Sequence, residues 1–373
     1  MAVQRVLLMY ISVNSGHHCA SLSVERALKV LQPTIDVLNI NSFNYTNPIL
    51  ERVINRTYLE VIRRTPDVWE YLYDNPGVVR RTQALKRLIH RFNSAKLRDL
   101  LESFRPDVIG CAQAFPCGMV ADFKASHGLR VPLVGMLTDY APHSYWLYDE
   151  VDWYVVPSDE TKERLVRNGI DEERVKAFGI PINPVFGQHV DRREVCSALR
   201  LDPAKPVVLI MGGGGGLGPI RELVWRLDRA AVDAQLVVVT GVNGRLQRWL
   251  EVKGPRFRKP MRALGYVNYI DQLMACATLI VTKPGGLTTA EALAKGLPMV
   301  IVHPIPGQEA NNTQFLLKNQ VAVRAQHVDD VVALIGSLLE RPMKLQQMRR
   351  AAMALGKPDA ALRTARLMLG EVA

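Results

Sequence analysis

The sequence predicts an α/β protein of two domains, each built around a parallel sheet, and three observations carry that prediction. In both halves short apolar runs alternate with amphipathic stretches, the pattern of strands feeding helices around a parallel sheet. Glycine-bearing turns close several of those runs, at the strand ends where a doubly wound domain places its ligands. The run Gly179-Ile180-Pro181-Ile182-Asn183-Pro184 interrupts the pattern with two prolines and a glycine, which sets the expected domains at 1–180 and 181–373. A chain of 373 residues, 48% of them hydrophobic, is long enough to bury two cores.

In the first domain, residues 6–11 read as a strand, a turn follows at Ser15-Gly16, and 21–31 read as a helix with Leu22, Ala27, Leu28 and Leu31 facing inward. Further strands are expected at 35–39, 107–111, 133–137 and 153–156, with room for helices between them. A helix at 191–199 leads into the second domain. There, strands 207–211, 236–240, 262–266 and 278–282 alternate with helices 220–227 and 246–252. The last of these strands runs into Gly285-Gly286. A helix capped by Thr288 or Thr289 should follow and stop at Gly296 and Pro298. Helices 331–339 and 343–355 complete the domain, and 360–369 is expected to pack back on the N-terminal one.

Composition narrows the function classes. No apolar run approaches the roughly 18 to 20 residues that span a bilayer, and Met1 leads directly into a strand-like segment without the pattern of a signal peptide, so a cytoplasmic protein is expected. Five cysteines, at 19, 111, 117, 196 and 276, show no CxxC spacing and are odd in number. Reduced, buried thiols are expected, with neither a zinc site nor a disulfide framework. A formal net charge of +11 asks for an anionic partner, whether nucleic acid, nucleotide or acidic lipid. Between Asn41 and Arg98, rings such as Tyr58, Trp69 and Tyr71 interleave with arginines such as Arg63, Arg64, Arg80 and Arg81. That mixture suits nucleic acid or an anionic bilayer surface equally.

Five stretches hold residues that can do chemistry or approach a ligand. Gly285 and Gly286 expose backbone at a helix start, where free amides favour a diphosphate without a metal. Thr288 lies in that first turn, and Glu291, a turn further on, can accept hydrogen bonds from both hydroxyls of a ribose. The turn Pro306-Gly307-Gln308-Glu309 should bring out an amide and a carboxylate suited to sugar hydroxyls, with Asn311 and Asn312 behind them. Gly16-His17-His18 closes the first strand, and Thr138-Asp139-Tyr140, with His143 and Trp146, closes a later one. A histidine that titrates near neutrality, or Asp139, can take the proton of an attacking alcohol, and Asp139 can alternatively orient the imidazole. Five glycines from Gly212, including Gly213 and Gly214, let backbone approach a ligand closely. They form no Walker loop, and no acidic residue closes the second strand as a nicotinamide site requires, which disfavours an oxidoreductase.

Taken in order from Gly16 to Asn312, these motifs resemble those of the monogalactosyldiacylglycerol synthase and processive diacylglycerol glucosyltransferase family, within glycosyltransferase family 28. The resemblance implies the GT-B fold, two Rossmann-like domains facing each other across a cleft. It implies an N-terminal domain that docks on anionic membrane and takes up the acceptor, a C-terminal domain that binds the UDP-sugar, and no nucleic-acid partner. Glu291 would bind the ribose, Gln308 and Glu309 the transferred sugar, and the backbone near Val267 the uracil, with Gly213 and Gly214 lining the cleft. His17 or Asp139 would be the catalytic base. The implied reaction is inverting hexose transfer from UDP-glucose or UDP-galactose to diacylglycerol, at the inner face of the cell membrane, with no metal and no cofactor beyond the donor. Transfer to a polyprenyl-linked cell-wall acceptor, or 2-epimerisation of a UDP-sugar, are the alternatives.

Overall fold

A computed structural model describes residues 3–13, 15–42, 94–141, 144–305 and 307–371. The basic, ring-bearing stretch expected at the membrane falls almost wholly outside the described residues, as does His143. Two compact units form: Met1–Pro184 with Pro306–Gln308 and Lys357–Ala373, and Val185–Ile305 with Glu309–Gly356. Among the described residues no helix is long and apolar enough to cross a membrane.

The first unit carries a sheet in the order β2-β1-β3-β4-β5-β6, formed by Arg5–Tyr10 (β1), Asp36–Asn41 (β2), Val108–Cys111 (β3), Leu133–Met136 (β4), Trp153–Val155 (β5) and Val175–Lys176 (β6). Every pairing is parallel. Strands β3 and β4 are buried along their whole length, which is why they read as unbroken apolar runs rather than alternating ones. The chain leaves β1 and β3 on opposite sides, so the order reverses between these neighbours and opens a crevice at their carboxyl ends.

The first helix spans Gly16–Leu31 and starts five residues before the sequence pattern suggested. Ser15 is the reason: its Oγ accepts from the His18 amide, and this N-cap outweighs the poor helix propensity of Gly16. Leu22 and Leu31 are only half-buried, while Val24, Ala27 and Leu28 are fully enclosed. The C-terminal helix Ala360–Met368 packs against this same helix and so rotates its covered face.

The second unit repeats the architecture with the order β12-β11-β10-β7-β8-β9, again parallel throughout. Its strands are Val207–Met211 (β7), Gln235–Val239 (β8), Met261–Leu264 (β9), Leu279–Thr282 (β10), Met299–Ile301 (β11) and Ala322–Arg324 (β12). Strand β9 stops before Gly265 rather than at Tyr266, whose ring is 67% exposed. The order reverses between β7 and β10, so this crevice lies between the pentaglycine loop and the diglycine loop.

Candidate functional site

In the first unit, the His17 ring lies at the crevice between β1 and β3. Its Nδ1 is 3.0 Å from the Ala112 carbonyl oxygen, just beyond β3, and 2.9 Å from Thr138 Oγ1, just beyond β4. A carbonyl only accepts, so Nδ1 carries the hydrogen and the Thr138 oxygen shares it. In the neutral ring Nε2 is then the basic nitrogen. Burial pushes the imidazole pKa down to about 4, against the opposing pull of the Ala112 hydrogen bond. The sequence reading expected titration near neutrality. Desolvation instead keeps the ring neutral, a proton acceptor throughout the physiological range. The orienting groups on Nδ1 are the Ala112 carbonyl and the Thr138 hydroxyl, the part the sequence had offered to Asp139. Asp139 itself is half-buried directly after Thr138. His18 stacks on Tyr10 with ring centroids 4.3 Å apart and serves packing.

In the second unit, the diglycine helix spans Gly286–Ala294, and Gly285 is its N-cap. This corrects the expected cap: neither threonine caps the helix, and Thr289 Oγ1 is buried with no hydrogen-bond partner. The reason is geometric, because the helix begins at Gly286 and both threonines already lie inside it, where their hydroxyls cannot reach back to the free amides. No side chain caps the helix and no acidic residue occupies its first turn, so the amides of Gly286, Leu287 and Thr288 stand ready for an anion.

Glu291 is half-buried on this helix. Burial raises its carboxyl pKa to about 8, with the nearby Asp271 charge adding to the effect. A carboxyl held in this state gains hydrogen bonds when hydroxyl donors reach it, as a ribose would supply. Val267 is half-buried in the loop between β9 and the helix Ile270–Cys276.

The turn before Gln308 corrects a second expectation. Gln308 opens a helix, Gln308–Lys318, and Glu309 turns inward at 3% exposure rather than out on a tight turn. One carboxylate oxygen of Glu309 accepts from Lys283 Nζ at 2.5 Å, and the other from the Ile305 amide at 2.9 Å. Asn312, also buried, donates to the Pro284 carbonyl at 3.0 Å and fixes the diglycine loop from beneath. Sequence reasoning passed over Lys283. Its signal was there to read: a lysine as the first residue after a buried strand, next to Pro284 and the diglycine.

The pentaglycine loop is packed against a second loop, backbone on backbone. A Cβ at Gly216 would come within 2.1 Å of the Thr240 carbonyl oxygen, and one at Gly241 within 2.1 Å of the Gly214 carbonyl oxygen. Both residues have positive φ, so glycine is required twice over. Gly213 faces the diglycine side, where its Cβ position lies 3.6 Å from Lys283 Cε. The structure thus gathers Gly213, Lys283, Gly285 and Glu309 at the β7/β10 crevice, with the free amides beside them.

Comparison with known proteins gives two family matches. Residues 17–182 match the model described as monogalactosyldiacylglycerol (MGDG) synthase, and 207–364 match the glycosyltransferase family 28 C-terminal domain. The chain is 28% identical over 349 residues to a processive diacylglycerol beta-glucosyltransferase of Bacillus licheniformis, a span of 93% of this chain and 90% of that protein. The enzyme of the same name from Bacillus subtilis gives the same identity and coverage. Among solved structures, MurG of Acinetobacter baumannii superposes with a TM-score of 0.65 at 14% identity, covering 98% of this chain and 99% of that one. A UDP-GlcNAc 2-epimerase from Neisseria meningitidis bound to UDP-GlcNAc gives 0.61 at 14%, covering 98% and 100%. At such identity these two likenesses speak for the GT-B fold alone.

Proposed function

Because the chain belongs to the monogalactosyldiacylglycerol synthase family and carries its family 28 C-terminal domain, we propose that it is an inverting glycosyltransferase moving a hexose from a UDP-sugar to diacylglycerol. The observation that carries this reading is the pairing of two crevices of opposite chemistry in one chain. One holds a neutral imidazole with its Nδ1 hydrogen already committed, and the other an uncapped helix start with a cation beside it.

The roles follow from these groups. His17 Nε2 takes the proton from the primary hydroxyl of diacylglycerol as that oxygen bonds to C1 of the sugar. The bond from C1 to the diphosphate oxygen breaks with its electron pair, and the charge left on UDP is met by the amides of Gly286, Leu287 and Thr288. Glu291 accepts from the ribose hydroxyls, backbone near Val267 meets the uracil, Gly213 and Gly214 line the approach, and Gln308 contacts the transferred sugar. The donor needs no metal in this scheme. Glucose is the favoured hexose because the relatives with near-full coverage are named for it. Diacylglycerol, the acceptor in those names, is a membrane lipid, and the net charge of +11 suits work at an anionic membrane face.

The test is purified protein with liposomes containing diacylglycerol and a panel of UDP-sugars, with glycolipids identified by mass. A hexosyl-diacylglycerol product supports the reading. Transfer only to a polyprenyl-linked acceptor, or epimerisation of UDP-GlcNAc without any acceptor, replaces it.

A further inference from the structure

Lys283 and Glu309 form an ion pair whose side chains are only 19% and 4% exposed. A buried pair of this kind gains little stability over apolar residues of similar volume, because both charges must be stripped of water. Its position is more telling. The lysine stem passes beside Gly213, the ammonium lies in the crevice that also holds Gly285, and a Cβ at Gly285 would sit 3.8 Å from the Glu309 carboxylate. The free amides of Gly286, Leu287 and Thr288 follow directly in the chain.

We propose that Lys283 is the cation that binds and neutralises the donor's diphosphate, and that Glu309 is a positioning residue that holds the ammonium rather than a ligand of the sugar. This rests on the UDP-sugar reading above and deepens it. An ammonium has three N–H donors. One is spent on Glu309, which leaves two for phosphate oxygens. The carboxylate of Glu309 is itself fixed by the Ile305 amide, so the lysine is held from a rigid point rather than from a mobile side chain. When C1 parts from the diphosphate oxygen, the electron pair stays on that oxygen. A cation already in place stabilises this charge without rearrangement.

The experiment is calorimetric titration of UDP and of uridine into wild type, Lys283→Ala, Lys283→Arg and Glu309→Gln, with melting temperatures recorded alongside. Uridine keeps the base and ribose contacts but has no phosphate. Lys283→Ala should lose about tenfold or more in UDP affinity and less than about twofold in uridine affinity, as removal of one charge-assisted contact predicts. Lys283→Arg should recover part of the loss. Glu309→Gln should narrow the preference for UDP over uridine, a ratio that a purely structural role would leave alone. Should Lys283→Ala unfold because it strands the buried carboxylate, the double variant Lys283→Met with Glu309→Gln removes both charges and answers the same question. An unchanged ratio of UDP to uridine affinity in a folded variant, with wild type binding UDP, overturns this inference alone. A wild type that binds no uridine nucleotide overturns the donor reading, and this inference with it.

Discussion

The two crevices occupy the same place in their sheets, where strand order reverses, yet they are built from opposite materials. At β1/β3 a single side chain is proposed to do the work, and its surroundings strip it of charge: burial and a committed Nδ1 leave His17 neutral. At β7/β10 the backbone does most of it, through an uncapped helix start and close-packed glycine loops, with Lys283 and Glu309 supplying charge. The difference teaches that a doubly wound sheet provides a location and leaves the chemistry open. A proton acceptor must be a side chain, because backbone amides and carbonyls are far less basic than an imidazole. An anion is better met by many fixed dipoles.

The largest effect expected from breaking this division is on turnover. His17→Ala should lower kcat by roughly a hundredfold or more while UDP affinity stays within about twofold, since the base acts only on the acceptor. Steady-state kinetics beside a UDP titration reads both. Normal turnover in His17→Ala together with a dead Asp139→Asn would move the base to Asp139.

Glu291→Ala tests the other crevice. At pH 9, where the carboxyl is ionised, losing two hydrogen bonds to a charged group, each about 1.5 to 3 kcal/mol, should weaken UDP binding by at least about tenfold with the fold intact. An unchanged dissociation constant in a normally melting variant would remove Glu291 from the ribose. Because the carboxyl pKa lies at about 8 in the free protein, the wild-type affinity should also rise with pH toward 9, and this rise should vanish in Glu291→Gln.

The pH dependence of stability should split between the two units. The His17 pKa is lowered from 6.5 to about 4, so its contribution is whole above pH 6.5 and is lost as pH falls through 4. The Glu291 pKa is raised from 4.5 to about 8, so its contribution is whole below pH 4.5 and is lost as pH rises through 8. Urea unfolding of wild type, His17→Gln and Glu291→Gln from pH 4 to 9 should show the first variant flattening the acid limb and the second the alkaline limb. The opposite assignment would undo the comparison.

The smallest effect belongs to Thr138→Val, which keeps the side-chain shape and removes the shared acceptor on Nδ1. Turnover should fall only a few-fold, because the Ala112 carbonyl still holds the tautomer and a single neutral hydrogen bond is worth about 1 kcal/mol. A hundredfold fall would make the hydroxyl the main orienter.

Much of this was legible before any coordinates. Periodicity alone marked β7 at 207–211 and eight other strands, since parallel strands buried on both faces must be continuous apolar runs, while the two- and three-residue β6 and β12 were too short to show a period. Gly16-His17 and Gly285-Gly286 announced themselves because turns at strand ends need special residues, and those residues are visible one letter at a time. Other features depend on partners far apart in the chain. The Ala112 carbonyl that fixes the His17 tautomer belongs to a residue with no chemistry of its own, 95 positions away. The inward turn of Glu309 is decided by Lys283 and by the Ile305 amide. The pKa values of His17 and Glu291 are set by how much water the packed fold removes. The sequence by itself marked most of the residues that line the two crevices, Lys283 excepted, because side-chain identity and local period are local properties. Only the tertiary structure decided their charge state and their orientation, because desolvation and hydrogen bonding are summed over neighbours that the chain brings together only when it folds.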